Sequence, residues 1–134
     1  MLAGRKIVFV MVLDRKNHSF SGLTRRIADH HEKVAELAAT RVCVVGRRTQ
    51  ELSGWRGPKL WTLTRSRKWS RNGVGVVHSL DDLWLRTDPG SDVYVLGGVS
   101  VFGQLEKHVD EYMLWTVNSR EGDEGWVTRD EDMA

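Results

Sequence analysis

The chain lacks what would mark it as a disulfide-stapled, membrane-spanning or low-complexity protein. A single cysteine, Cys43, excludes an internal disulfide. Only two prolines occur in 134 residues, and no Pro/Gly/Ser-rich linker or repeat divides them. No apolar run approaches the ~20 residues that a bilayer-spanning helix needs. The opening Met-Leu-Ala-Gly-Arg-Lys runs directly into a strand-like apolar stretch, which argues against a cleaved leader. A cytoplasmic chain is the expectation. Cys43 sits inside the apolar run Val42–Val45 and reads as a small buried hydrophobe rather than a nucleophile. What is present, 40% hydrophobic and 28% charged residues, is the composition of one globular domain spanning 1–134.

Apolar patterning supplies the order of elements. Lys6–Leu13 is a continuous Val-rich run, the signature of a strand buried on both faces. Asp14–Gly22 is polar and reads as a loop. Thr24 can cap a helix reaching about Ala39, with Ile27, Val34, Leu37 and Ala38 on one face. Further strands are expected at Arg41–Val45, Leu60–Thr64, Gly73–Val77, Val93–Leu96 and Tyr112–Val117. Helices are expected after Gly46, after Ser79 with Asp81 and Asp82 in the first turn, and from about Ser100 to Lys107. Strands alternating with helices imply a three-layer α/β fold around a mostly parallel sheet.

In such a sheet, ligands bind beyond the carboxyl ends of the strands. Although the net charge is only +2, basic residues crowd the middle of the chain and acidic ones crowd its end. Three strand ends carry the chemistry for an anion. Gly46-Arg47-Arg48-Thr49 couples a glycine and a helix start to two guanidiniums that can grip phosphate in a bidentate manner. Thr64-Arg65-Ser66-Arg67 interleaves hydroxyls with guanidiniums. Leu96-Gly97-Gly98-Val99-Ser100 places two glycines between a buried strand and a helix.

These segments, in this order, resemble the dihydrofolate reductase superfamily over most of the chain. Val44–Glu51 is similar to its strand-Gly-Arg-x-Thr-x-Glu segment, and Gly57–Arg65 to its next strand and Ser/Thr turn. Val74–Asp82 resembles the following strand and helix start, and Val95–Phe102 the Gly-Gly segment, whose peptide the family holds in cis. Trp115-Thr116 and Glu121-Gly122-Asp123 resemble its late strand and the Gly-Asp that follows. The resemblance implies NADPH as cofactor. Arg47, Arg48 and Thr49 would hold phosphates, Thr64, Arg65 and Ser66 the adenosine 2′-phosphate, and Leu96, Gly97, Gly98, Val99, Ser100 and Val101 the pyrophosphate. His78 would flank the adenine. A 2′-phosphate needs cations, so the arginine cluster favours NADPH over NADH.

The resemblance also implies reduction of 7,8-dihydrofolate to tetrahydrofolate, by hydride transfer to a pterin ring anchored by a carboxyl group that assists its protonation. Asp29 is the candidate acid. Val8, Phe9, Val10, His30, Lys33, Lys59, Phe102 and Thr116 would surround the substrate. Helical periodicity turns Asp29 away from the face of Ile27, Val34 and Ala38, with His30 and His31 nearer to it. Counting back from Gly46 without a gap puts His30 at the acid's place; one inserted residue restores Asp29. Pro58-Lys59 stands where the family carries an arginine for the folate carboxylate, leaving Lys59 or Arg56 as substitutes, and Phe102 replaces a usual tyrosine. The final hairpin of the family is expected to be missing, so that Tyr112–Val117 becomes an edge strand open to homodimerisation.

Two other readings stay open. The reductase domain of riboflavin synthesis is similar at Gly46–Thr49, Gly57–Lys59 and Val109–Trp115. There Leu13-Asp14 would address a pyrimidinone, and no folate clamp is required. Alternatively the chain binds nucleotide without turnover, or single-stranded nucleic acid by stacking bases on Trp55, Trp61 and Trp69.

Overall fold

A computed structural model describes the backbone of residues 1–14, 19–21, 28–118 and 123–130, and the side chains of 1–12 and 31–115. Its strands are β1 (Ile7–Asp14), β2 (Ser19–Ser21), β3 (Val42–Gly46), β4 (Leu60–Leu63), β5 (Gly75–Val77), β6 (Val93–Val95), β7 (Glu111–Asn118) and β8 (Asp123–Asp130). Its helices are α1 (Ala28–Thr40), α2 (Arg47–Ser53), α3 (Leu80–Arg86) and α4 (Val99–Leu105), with a 3-10 turn at Glu106–His108. The sheet order is β5-β4-β3-β6-β1-β7-β8, with β2 paired to β1. From β5 to β7 the pairings are all parallel.

The parallel strands are buried on both faces, which explains their unbroken apolar runs. Successive residues of β3 feed opposite sides: Val42 and Val44 join one core, Cys43 and Val45 the other. On the first side Leu83 of α3 and Val101, Phe102 and Leu105 of α4 close the layer. On the second side α1 supplies Val34 and Ala38, both fully buried, with Leu37 packed against them. Val34, Leu37 and Ala38 of the expected apolar face are thus on the buried side of α1, at about 1.5–3 kcal/mol per large aliphatic side chain, and Ile27 lies outside the described residues. Gly57 packs so tightly on α1 that a Cβ there would lie 1.9 Å from the Ala38 carbonyl oxygen.

Four expectations need correction. The Asp14–Gly22 stretch is not all loop, since Asp14 ends β1 and residues 19–21 pair back on it antiparallel. The helix after Gly98 starts at Val99 and ends at Leu105. The expected Gly73–Val77 strand begins two residues later, at Gly75. Most consequentially, Tyr112–Val117 is not left as an edge strand: β8 pairs antiparallel with β7 from Glu111↔Asp130 to Asn118↔Asp123. Its charged ends hid a strand whose middle, Gly125-Trp126-Val127-Thr128, is ordinary β sequence. With β8 in place, β7 is no edge, and the basis for dimerisation through it is removed. Thr24, proposed as the α1 cap, lies outside the described residues.

Candidate functional site

The site grows from the ends of β3 and β6. Gly46, the last residue of β3, donates its N–H to Gly97 O at 2.7 Å, while Leu96 N bonds Val44 O at 2.9 Å. This brings two strand-end turns against each other with no room for side chains. A Cβ on Gly46 would meet Val101 Cγ2 at 3.2 Å and Gly98 N at 3.3 Å, and one on Gly98 would meet Thr49 Oγ1 at 2.9 Å. The Gly97–Gly98 peptide is cis. Gly46 and Gly98 precede α2 and α4 without any side-chain cap. Both helix starts thus keep backbone N–H groups for another partner.

The end of β4 and the start of α3 build the facing wall. Thr64 Oγ1 accepts from Ser66 N at 3.1 Å, and Thr64 O meets His78 Nδ1 at 2.9 Å. A carbonyl only accepts, so Nδ1 carries a proton. Ser79 caps α3 by accepting from Asp82 N at 3.0 Å. Asp82 in turn accepts from His78 N at 3.3 Å and from Arg86 Nε at 3.0 Å. The Arg86 hydrogen bond is the main force holding the Asp82 carboxyl below its ordinary range, against a smaller opposing effect of desolvation.

Between these walls lies a cavity of about 940 Å³. It gathers Gly46, Arg47, Arg48 and Thr49 from the first turn, Thr64 and Arg65 from the second, Gly98, Val99, Ser100 and Val101 from the third, and His78. Ser66 stands behind Thr64, Leu96 is 2% exposed, and Gly97 backs Gly98; none of the three lines the cavity. Leu63, Ser79, Leu80, Asp81 and Gln104 do line it and were not singled out from sequence. Asp81 was legible only as a first-turn helix acid, and Gln104 carried no signal.

The basic cluster divides by use. Arg71 donates to Gln50 Oε1 at 2.9 Å and Arg56 to Asn72 O at 2.8 Å, so both tie the 64–75 connection to the body of the fold. Arg47 lies 3.8 Å from Glu51, which also accepts from Trp69 Nε1 at 3.2 Å. Among the described residues, Arg48 and Arg65 have no carboxylate partner. They leave the cavity cationic.

The substrate candidates do not converge in the same way. Val8, Phe9 and Val10 are buried in β1, and the Phe9 and Phe102 rings pack with centroids 4.8 Å apart. Lys33 pairs with Glu36 at 3.3 Å on the exposed face of α1. Lys59 lines a separate hollow with Trp61, on the face of the sheet opposite α1. Asp29 and His30 belong to the first turn of α1, and Thr116 pairs with Leu13 and Gly125; their side chains lie outside the described residues. Trp55 is buried, while Trp61 is half-buried, packed against the core with Arg86 near its ring.

A solved dihydrofolate reductase from Enterococcus faecalis, complexed with NADP(H) and RAB-propyl, superposes with a TM-score of 0.68. The fold is that of dihydrofolate reductase. The superposition covers 91% of this chain and 76% of that one, at 23% identity. No protein-family model matches the chain, and neither does any curated protein. Within the dihydrofolate reductase-like fold, the cavity lies where an α/β sheet places its ligands, beyond the carboxyl ends of β3, β4 and β6. Among the described residues, no helix is long and apolar enough to cross a membrane.

Proposed function

We propose that this chain is an NADPH-dependent oxidoreductase that reduces 7,8-dihydrofolate to tetrahydrofolate. The observation that carries the reading is the 940 Å³ cationic cavity at the meeting of two glycine turns. The missing Cβ atoms of Gly46 and Gly98 let the two turns pack directly on each other, and the uncapped starts of α2 and α4 offer N–H groups for a ligand's phosphates. Arg47 and Arg48 would hold the pyrophosphate side, and Arg65 with Thr64 the 2′-phosphate. When bound, NADPH supplies the hydride. Its own residues then have two tasks, to align the ring to be reduced and to provide a proton. Asp29, in the first turn of α1, is the candidate for the second task; burial against a ring would raise its pKa toward neutrality.

A second reading is a pyrimidinone reductase of the riboflavin-pathway type. It is favoured by the placing of Lys59 opposite α1 and of Arg56 on Asn72 O, which leaves neither of them as a carboxylate clamp on the α1 side.

NADPH oxidation with dihydrofolate, and with a riboflavin-pathway pyrimidinone, tests both. Turnover of dihydrofolate that falls by about 100-fold or more in Asp29→Asn supports the first reading. Turnover of the pyrimidinone alone moves the assignment to the second. Absence of NADPH binding by the wild type rejects both.

A further inference from the structure

The amino ends of β3 and β4 and the carboxyl end of α3 enclose a second hollow, of about 190 Å³. It is lined by the apolar Val42, Pro58 and Trp61, by the cations Lys59 and Arg86, and by Thr87 and Asp88. Pockets for nucleotides and other molecules of that size run to several hundred Å³, so this one admits only a single small ring or short chain. Lys59 has no carboxylate partner among the described residues, and Arg86 lies over the Trp61 ring at 5.8 Å. Apolar side chains beside Lys59 and Arg86 suit a small organic acid, whose hydrocarbon body would rest on Trp61 while its carboxylate meets the two cations.

The hollow is connected to the cofactor cavity by α3. That helix is seven residues long, about 10 Å from end to end. Ser79, Leu80 and Asp81 at its start line the large cavity, and Arg86 at its end lines the small one. Between them runs a chain of two hydrogen bonds, Arg86 Nε to Asp82 Oδ1 at 3.0 Å and His78 N to Asp82 Oδ2 at 3.3 Å. Arg5, 4% exposed, fixes the far end of the helix by donating to Trp84 O at 3.1 Å and Thr87 O at 3.0 Å. The helix is therefore anchored where the hollow lies.

We propose that this hollow is an effector site for small monocarboxylates with an apolar body, and that its occupant weakens binding in the cofactor cavity through Arg86 and Asp82. A carboxylate in the hollow competes with Asp82 for the Arg86 guanidinium. Asp82 then presents an uncompensated negative charge beside His78, and a phosphate-bearing ligand in the cavity is held less firmly. The coupling half rests on the reading of that cavity as an NADPH site; the binding half does not.

Sodium benzoate is the probe, added to the full chain at constant ionic strength and followed by the Trp61 indole N–H resonance. The expected result is a saturable shift with a millimolar Kd, at least five-fold weaker in Lys59→Met and with benzyl alcohol in place of benzoate. Saturating benzoate should weaken NADPH two- to five-fold in the wild type and leave it unchanged in Asp82→Asn, which still binds benzoate. A Trp61 signal that does not move, or moves equally in Lys59→Met, overturns the site. Benzoate that NADPH displaces from the wild type and from Lys59→Met alike sits in the large cavity and overturns it too. Benzoate binding with no change in NADPH affinity overturns the coupling. If NADPH itself does not bind, the functional reading fails while the Trp61 titration still decides the site.

Discussion

Arg48 and Arg65 differ from Arg56 and Arg71 in nothing that composition reveals, yet only the first pair faces the cavity without a carboxylate partner. The sequence shows a basic cluster. Which of its members are ligands depends on whether carbonyl oxygens such as Asn72 O already occupy their N–H groups. Arg65→Ala should therefore weaken NADPH by about 10- to 100-fold, the worth of a charge-assisted phosphate contact, while NADH changes by less than about three-fold. Calorimetric titration of both cofactors checks this, and equal losses would remove Arg65 from the 2′-phosphate. Cys43 illustrates a residue whose fate was readable. Burial inside β3 pushes its thiol up to about 12, with Arg41 opposing only slightly. Below about pH 9 the thiol is protonated in both folded and unfolded chains. Between about pH 9 and 12 the unfolded chain loses that proton and the folded chain keeps it, so stability falls as pH rises, by at most about 1.4 kcal/mol per unit. Chemical denaturation across this range should show a shallower decline in Cys43→Ala than in the wild type.

At the scale of elements, the sharpest packing constraint is Gly57 against α1. A methyl group there cannot coexist with the Ala38 carbonyl at 1.9 Å. Gly57→Ala should cost about 2 kcal/mol and lower the Tm by roughly 5–10 °C, measured by calorimetry. Ser79→Ala removes the cap of α3 and should cost about 1 kcal/mol, with a loss of NADPH affinity because Ser79 also lines the cavity. Buried parallel strands and their glycine-terminated ends were legible, since continuous apolar runs and Gly46 or Gly97-Gly98 need no tertiary context to interpret. β8 was not. Asp123, Glu124, Arg129 and Asp130 give it the look of a solvated tail, yet an outer strand with one neighbour tolerates charge that an inner strand could not. Asp81 and Gln104 escaped notice for another reason. Lining a cavity depends on how one helix is turned relative to a second wall, and no local pattern encodes that.

For the molecule as a whole, β8 converts β7 from an outer strand into an inner one. Removing residues 119–134 should uncover the N–H and C=O groups of β7 over the length of its pairing with β8, and sedimentation should then show association that grows with concentration. The full chain at the same concentrations has no such edge at β7. The sheet order carries one more consequence. β1, the first strand, lies between β6 and β7, with Ile7 opposite Val93 and Met113 opposite Val10. Its two parallel partners come from the far half of the chain, the arrangement of high contact order that slows folding. A ribosome making this chain presents the apolar Ile7–Leu13 segment long before β6 or β7 has been made. Nascent chains arrested after β5 should leave that segment open to protease and to chaperone capture, and chains extended past β8 should not. A strand that ends up inside the sheet is thus the one the cell must shelter longest.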